Sequence, residues 1–137
     1  MITVKLKRSD FEAIAAHARA ALPNEACGLI AGNIVNDIKT IDKIYLLTNP
    51  DNSPEHFSID PKEQLAAVKD MRALGISPLG NFHSHPSTPA RPSEEDIRLS
   101  YDPKASYLIL SLVEETPVLK AFGVTGGEVN QQILEIV

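Results

Sequence analysis

The chain has 137 residues, 13 of them basic against 18 acidic for a net charge of -5, and 43% are hydrophobic, the proportions of one ordinary globular domain with no room for a second. Lys5, Lys7 and Arg8 form the only basic cluster, too short to track a phosphate backbone, which argues against a nucleic-acid partner. A single cysteine excludes an internal disulfide, and no apolar stretch at the N-terminus suits a signal peptide or membrane span, so a cytoplasmic protein without a membrane partner is expected.

Ile2 to Leu6 alternates as a strand does, and Ser9 with Glu12 has the spacing of a capping box that would open a helix. Phe11, Ile14, Ala15, Ala18 and Leu22 would form its apolar stripe, with His17 off the stripe and facing solvent, and Pro23-Asn24 would close it. Cys27 to Ala31 reads as a short strand ended by Gly32 and Asn33, paired as a hairpin with a longer strand over Ile38 to Leu47. Thr48 to Pro54 reads as loop and His56 to Ile59 as a brief extended piece. Asp60 as N-cap, Pro61 at the first helical position and Glu63 then start a second helix. Leu65, Val68 and Met71 or Arg72 would supply its buried face, and Gly75 its C-cap. Pro78 to His85 is a strand entering a Pro-rich loop, Ser93 to Ser100 a short helix, and Ser106 to Val113 and Val118 to Val124 are further strands. Gly126-Gly127 turns the chain into Val129 to Val137, a strand by its apolar content or else a terminal helix. The expected fold is an α/β sandwich in a single domain over residues 1–137, a mixed, mainly antiparallel sheet packed with two long helices and one short one.

The chemistry concentrates in Asn81-Phe82-His83-Ser84-His85-Pro86. Two histidines two positions apart on a strand project from one face, with Cβ atoms roughly 6 to 7 Å apart, a span that two imidazoles can close around a metal. Alone, His-x-His is more often a pair of hydrogen-bonded structural histidines than a metal site. Seven residues later, Ser93-Glu94-Glu95-Asp96 would start a helix and turn Asp96 back toward them. Two nitrogens and one carboxylate leave the fourth position of a zinc ion for water, the arrangement of a catalytic site rather than a structural one. A water needs a general base, and Glu25 stands just before the apolar run at Cys27, where an unpaired carboxylate is costly. The plainer reading of Glu25, a loop carboxylate facing water, stays open at this point. Cys27 reads as core, His56 as a loop histidine, and Ser84 as pointing to the face opposite the histidine pair.

His83-Ser84-His85, seven residues from Pro86 to Pro92, then Ser93-x-x-Asp96 resembles, without gaps, the signature of the JAMM (MPN) metalloproteases. Pro23-Asn24-Glu25-Ala26-Cys27-Gly28-Leu29 resembles the segment that carries their catalytic glutamate, and the likeness extends over nearly the whole chain. It implies a cytidine-deaminase-like MPN fold, with His83, His85 and Asp96 as zinc ligands. It also implies that Glu25 takes and returns the proton of the attacking water and that Ser93 stabilises the oxyanion; from the residues alone, Ser93 reads equally as a helix N-cap. Ser84 falls at a site-supporting position of the family.

Other zinc hydrolases do not fit. Nucleoside deaminases need a Cys-x-x-Cys that a chain with one cysteine lacks, and a TIM barrel needs about 250 residues. Within the resembled family, the alternatives to an enzyme are a silent MPN scaffold that has lost ligands, or a metal-binding interaction module without turnover; this chain keeps every motif position. The resemblance, to compact prokaryotic members, implies as substrate a peptide or isopeptide bond after the Gly-Gly tail of a ubiquitin-like or sulfur-carrier protein, with a free small peptide as the alternative. Such a tail would add as a strand beside the extended pieces around Phe57 and after Pro86.

Overall fold

The computed structural model describes residues 1–137 as seven strands and three helices: β1 (Thr3–Leu6), α1 (Arg8–Ala21), β2 (Cys27–Val35), β3 (Ile38–Leu47), α2 (Pro61–Leu74), β4 (Ser77–His85), α3 (Glu94–Arg98), β5 (Ser106–Ser111), β6 (Val118–Thr125) and β7 (Glu128–Ile136). The sheet is mixed and mainly antiparallel, in the order β1-β3-β2-β4-β5-β6-β7, and it closes on itself. Closure is the work of β1, which pairs in parallel with β3 on one side and β7 on the other, so the sandwich expected from sequence has no open edge. No helix is long and apolar enough to cross a membrane.

Strand alternation divides the apolar residues between two faces. Ile30, Phe82, Leu108 and Leu110 point to the inner face, where they bury Ile14, Ala15 and Ala18 of α1 together with Val4, Leu6 and Ile41. Cys27, Leu29, Ala31 and Leu47 point outward and are covered by Ala67 and Met71 of α2. Gly28 makes the inner packing possible, because a Cβ there would overlap the Phe82 ring and the Tyr45 carbonyl. The end of the sheet remote from β4's C-terminus is sealed by Lys39, buried, whose ammonium donates to the carbonyls of Leu79 (3.3 Å) and Lys104 (2.6 Å) and to Ser106 Oγ (2.8 Å). Three acceptors satisfy its three protons.

Several local expectations change. Helix α1 begins at Arg8 with Lys7 as N-cap and no side-chain cap; the Ser9–Glu12 box does not form. The Arg8 N–H donates instead to the Val137 carbonyl at 2.9 Å, so a distant strand end replaces the local cap. Leu22 lies past the helix, about half exposed. His17 does not face solvent: its Nε2 lies 3.2 Å from the Cys27 carbonyl and 2.9 Å from that of Leu47, and since both partners accept, Nε2 carries the proton. Gly32 does not end β2 but marks an irregularity in the pairing, where a Cβ would strike the Thr40 carbonyl. The hairpin turns at Asn36-Asp37, whose φ values of 51° and 63° suit a two-residue turn. On α2 the caps at Asp60 and Gly75 form as expected and Met71 faces the sheet as expected, but Ala67 joins it there in place of Leu65, which is 55% exposed. Residues 56–59 pair with no strand, and the last segment is a strand, not a helix.

Candidate active site

Strand β4 is hydrogen-bonded to β2 on one side and to β5 on the other, and its last three residues carry the motif. His83 sits directly opposite Cys27, so both histidines emerge on the outer face, nearly inaccessible at 2% and 4% exposure. Their Nε2 atoms are 3.1 Å apart, and each is 3.1 Å from Asp96 Oδ2. Asp96 reaches them from the first turn of α3. A reciprocal cap fixes that turn, in which Ser93 Oγ accepts from the Asp96 N–H (3.0 Å) and the Ser93 N–H donates to Asp96 Oδ2 (2.9 Å).

The proton inventory of this triangle is incomplete. His85 donates its Nδ1–H to the Pro89 carbonyl at 2.9 Å, so in the neutral ring its Nε2 presents a lone pair to a carboxylate oxygen. Two converging lone pairs need a proton or a cation between them. Without a cation the pair takes the proton: burial alone would lower the His85 pKa, but the bonds to Asp96 and Pro89 outweigh it and raise the value. Burial would likewise raise the Asp96 pKa, yet the hydrogen bonds of His83 and His85 hold it well below the usual carboxylate range. His83 Nδ1 is buried without a partner, its ring stacked on Phe57 at 4.6 Å. Tetrahedral zinc with bonds of about 2.0–2.1 Å holds its ligands roughly 3.3–3.4 Å apart, so edges of 3.1 Å fit after a shift of a few tenths of an ångström, and a two-nitrogen, one-oxygen donor set suits that ion.

Glu25 is buried, at 4% exposure, so the reading of a solvent-facing loop carboxylate falls. Its Oε1 has no partner, and its pKa is raised to about 8, first by burial, against the favourable His85 charge and with the repulsion of Asp96, Glu95 and Glu55 added. The backbone around it is held on three sides. Its N–H donates to the Ser53 carbonyl (2.8 Å), its carbonyl accepts from Asn49 Nδ2 (3.1 Å), and the Ala26 N–H donates to Ser84 Oγ (2.8 Å). Ser84, turned inward between the two histidines, thus ties the Glu25 segment to the strand that carries them. Ser84→Ala leaves the Ala26 N–H buried without an acceptor and is expected to cost about 1–3 kcal/mol in a denaturant titration.

Ser93 is exposed; its oxygen accepts within the cap while its O–H proton stays free to donate outward. Cys27 is fully buried, and burial, then Glu63 and Glu25, push its thiol up to about 12, which excludes a nucleophile. His56 is exposed and pairs with Asp51 at 3.2 Å. Two participants were not legible as such. Phe57 stacks on His83, and Asn49 organises the loop, bonding the carbonyls of Glu25 and His56 and accepting from the N–H groups of Asp51 and Ser58. Only the Asn49-Pro50 pair within a turn-rich run hints at the latter. Beside the triangle, on the His83 side, opens a groove of about 440 Å³ walled by Phe57, Ile59, Leu99, Tyr107 and Ile109.

Residues 7–123 match the family described as prokaryotic homologs of the JAB domain. A CysO-cysteine peptidase of Mycobacterium tuberculosis is 31% identical over 99% of this chain and 93% of its own length. A probable TtuB-protein conjugate cleaving protease of Thermus thermophilus is 33% identical over 71% of this chain and 63% of its own. The solution structure of a Desulfitobacterium hafniense protein superposes with a TM-score of 0.91 at 52% identity, covering 98% of this chain and 92% of the other. Motif, fold and relatives agree: the chain belongs to the prokaryotic branch of the JAB (JAMM/MPN) family and is a peptidase of it.

Proposed function

We propose that residues 1–137 form one zinc-dependent metallopeptidase domain in which His83, His85 and Asp96 hold the ion, Glu25 is the general base and acid, and Ser93 is an oxyanion donor. The observation that carries this reading is a buried triangle of donor atoms, short of protons, next to a buried carboxylate with a free oxygen. Zinc supplies Lewis-acid polarisation of water and of a carbonyl oxygen. Glu25, buried beside the triangle with a free carboxylate oxygen, accepts a proton from the attacking water and delivers it to the leaving amine. The outward O–H of Ser93 is available to the developing oxyanion while its oxygen keeps α3, and with it Asp96, in place.

The substrate we propose is a conjugate of a ubiquitin-like or sulfur-carrier protein, cut after its Gly-Gly tail in the cytoplasm. The relatives named as a CysO-cysteine peptidase and as a probable TtuB-protein conjugate cleaving protease support it. So does the backbone at 56–59. The Ser58 N–H and the His56 carbonyl are bound inward by Asn49, whereas the N–H and carbonyl groups of Phe57 and Ile59 have no partner. They form a short open strand edge along the groove, ready to pair with an extended tail.

Elemental analysis tests the site. Wild type purified in zinc-containing buffer is expected to carry about one zinc per chain, and Asp96→Ala, which removes the only anionic donor, to lose it together with all cleavage of a Gly-Gly-linked fusion. Metal-replete wild type without bound zinc would dismiss the proposal.

A further inference from the structure

Resting on the metal-site reading, two buried polar atoms of β4 that the chemistry above leaves idle have a use together. His83 Nδ1 is one and Asn81 Oδ1 the other; both are inaccessible, and neither has a hydrogen-bond partner. An orphaned polar group inside a protein costs about 1–3 kcal/mol, so two of them at neighbouring positions on one face of a strand need a physical cause.

Neither finds a partner across the sheet. His83 lies between Cys27 of β2 and Ile109 of β5, with Phe57 stacked on its ring. Ile109 and Phe57 offer no side-chain acceptor, and the Cys27 thiol is directed to the carbonyls of Thr48 and Ser58. Asn81 lies between Leu29 and Tyr107, and the Tyr107 hydroxyl donates to the Asp102 carbonyl instead. Along β4, however, the two are neighbours, two residues apart on the same face and lining the same groove. The same step separates His83 from His85, whose Nε2 atoms are 3.1 Å apart, so it is one that side chains leaning along this strand can close.

The two histidines differ in what stands behind the ring. His85 has the Pro89 carbonyl 2.9 Å from its Nδ1, whereas His83 Nδ1 has nothing. A histidine that ligates a metal through one nitrogen almost always donates its other N–H to an acceptor, which fixes the tautomer and the orientation of the ring. The tautomer also accounts for the missing bond between His83 and Asn81. His83 Nε2 faces Asp96 Oδ2 at 3.1 Å, and a neutral ring that donates there has only a lone pair at Nδ1, which an amide oxygen does not bind. A ring that gives its Nε2 lone pair to a cation carries its proton on Nδ1, and the two orphans become donor and acceptor.

We infer that Asn81 is a positioning residue of the metal centre, its amide oxygen accepting the Nδ1–H of His83 when zinc is bound, as the Pro89 carbonyl does for His85. Asn81 touches neither the ion nor the reacting atoms; it acts by holding one ligand ring in the orientation and tautomer the ion requires.

The test compares the 137-residue wild type with Asn81→Leu, Asn81→Ala and Asn81→Asp. Zinc affinity is measured by chelator competition, and the histidine N–H protons of the zinc-loaded proteins are observed by proton–nitrogen NMR. Leucine and alanine, which remove the acceptor, are expected to weaken zinc binding by about 10- to 100-fold and to move one imidazole Nδ1–H resonance upfield. Aspartate, which keeps an acceptor oxygen, should retain the affinity and the downfield resonance. If leucine does not fit the site and the protein fails to fold, the alanine and aspartate variants decide. Wild-type affinity and an unmoved resonance without the acceptor, or an aspartate variant as impaired as alanine, would overturn the inference while leaving the metal site standing. Wild type that binds no zinc would instead remove the metal-site reading, and this inference with it.

Discussion

Glu25→Gln is expected to lower kcat by about 10³ to 10⁴ while the protein still binds zinc. The two halves of the result have separate causes. Glutamine keeps the shape and the buried position of the side chain but cannot take a proton from water or hand one to the leaving amine, so both the attack and the departure lose their proton carrier. The metal site is untouched because the donor triangle consists of His83, His85 and Asp96 and excludes Glu25. Single-turnover cleavage with zinc content measured on the same samples checks it. Near-wild-type turnover would assign the proton transfers to another group, and zinc loss would mean that Glu25 holds the site together instead of working in it.

The same substitution is expected to stabilise the metal-free protein at alkaline pH by roughly 3–5 kcal/mol, or about 10 °C or more in melting temperature. Burial raises the Glu25 pKa from 4.5 to about 8. Between those values the folded protein holds a proton that the unfolded chain has released, so stability falls as pH rises from 4.5 to 8 and levels off above, where the folded state must keep a buried anion. His85, also raised, contributes stability that is lost as pH climbs through its folded value, and so has the same sign. Asp96 acts at the acid end, stabilising above its unfolded value of 3.8. Glutamine carries no charge to bury, so thermal melts of chelator-treated wild type and Glu25→Gln should converge near pH 5 and separate by pH 8. A variant no more stable than wild type at pH 8 would show that the Glu25 carboxylate is not penalised by its surroundings.

What the sequence made legible was whatever depends on neighbours in the chain. Asp60, Pro61 and Gly75 cap α2 through contacts within a few residues, and Ile38 to Leu47 is a strand with the bounds its β-branched residues imply. His83, Ser84 and His85 alternate across β4 because any strand alternates, and Ser93 with Asp96 closes its cap within four residues. What stayed hidden depends on distant partners. Ser9 had the right spacing to cap α1, but the Val137 carbonyl satisfied the helix first. His17 looked like a surface residue until two strand-end carbonyls converged on it. On α2, Met71 was legible, but Ala67 rather than Leu65 lies beside it because the outer surface of β2, not the helix's own apolar count, decides which side is covered. The burial of Glu25 belongs to the same class, since Ser53, Asn49 and Ser84 enclose it from three separate segments.

The parallel pairing of Thr3 with Ile133 through Leu6 with Ile136 joins residues almost as far apart in the chain as any two can be. Such contacts repay the entropy of loop closure only after everything between them is organised. The ring is therefore expected to zip last at this seam and to open first there. Until it does, β1, paired on its other side with β3, and β7 each expose a row of unpaired peptide groups, and β1 of a second copy has the right sequence to fill the β7 edge. Exchange of that strand between two molecules is thus the form of misassembly this topology invites, at a place remote in sequence from every residue that does chemistry.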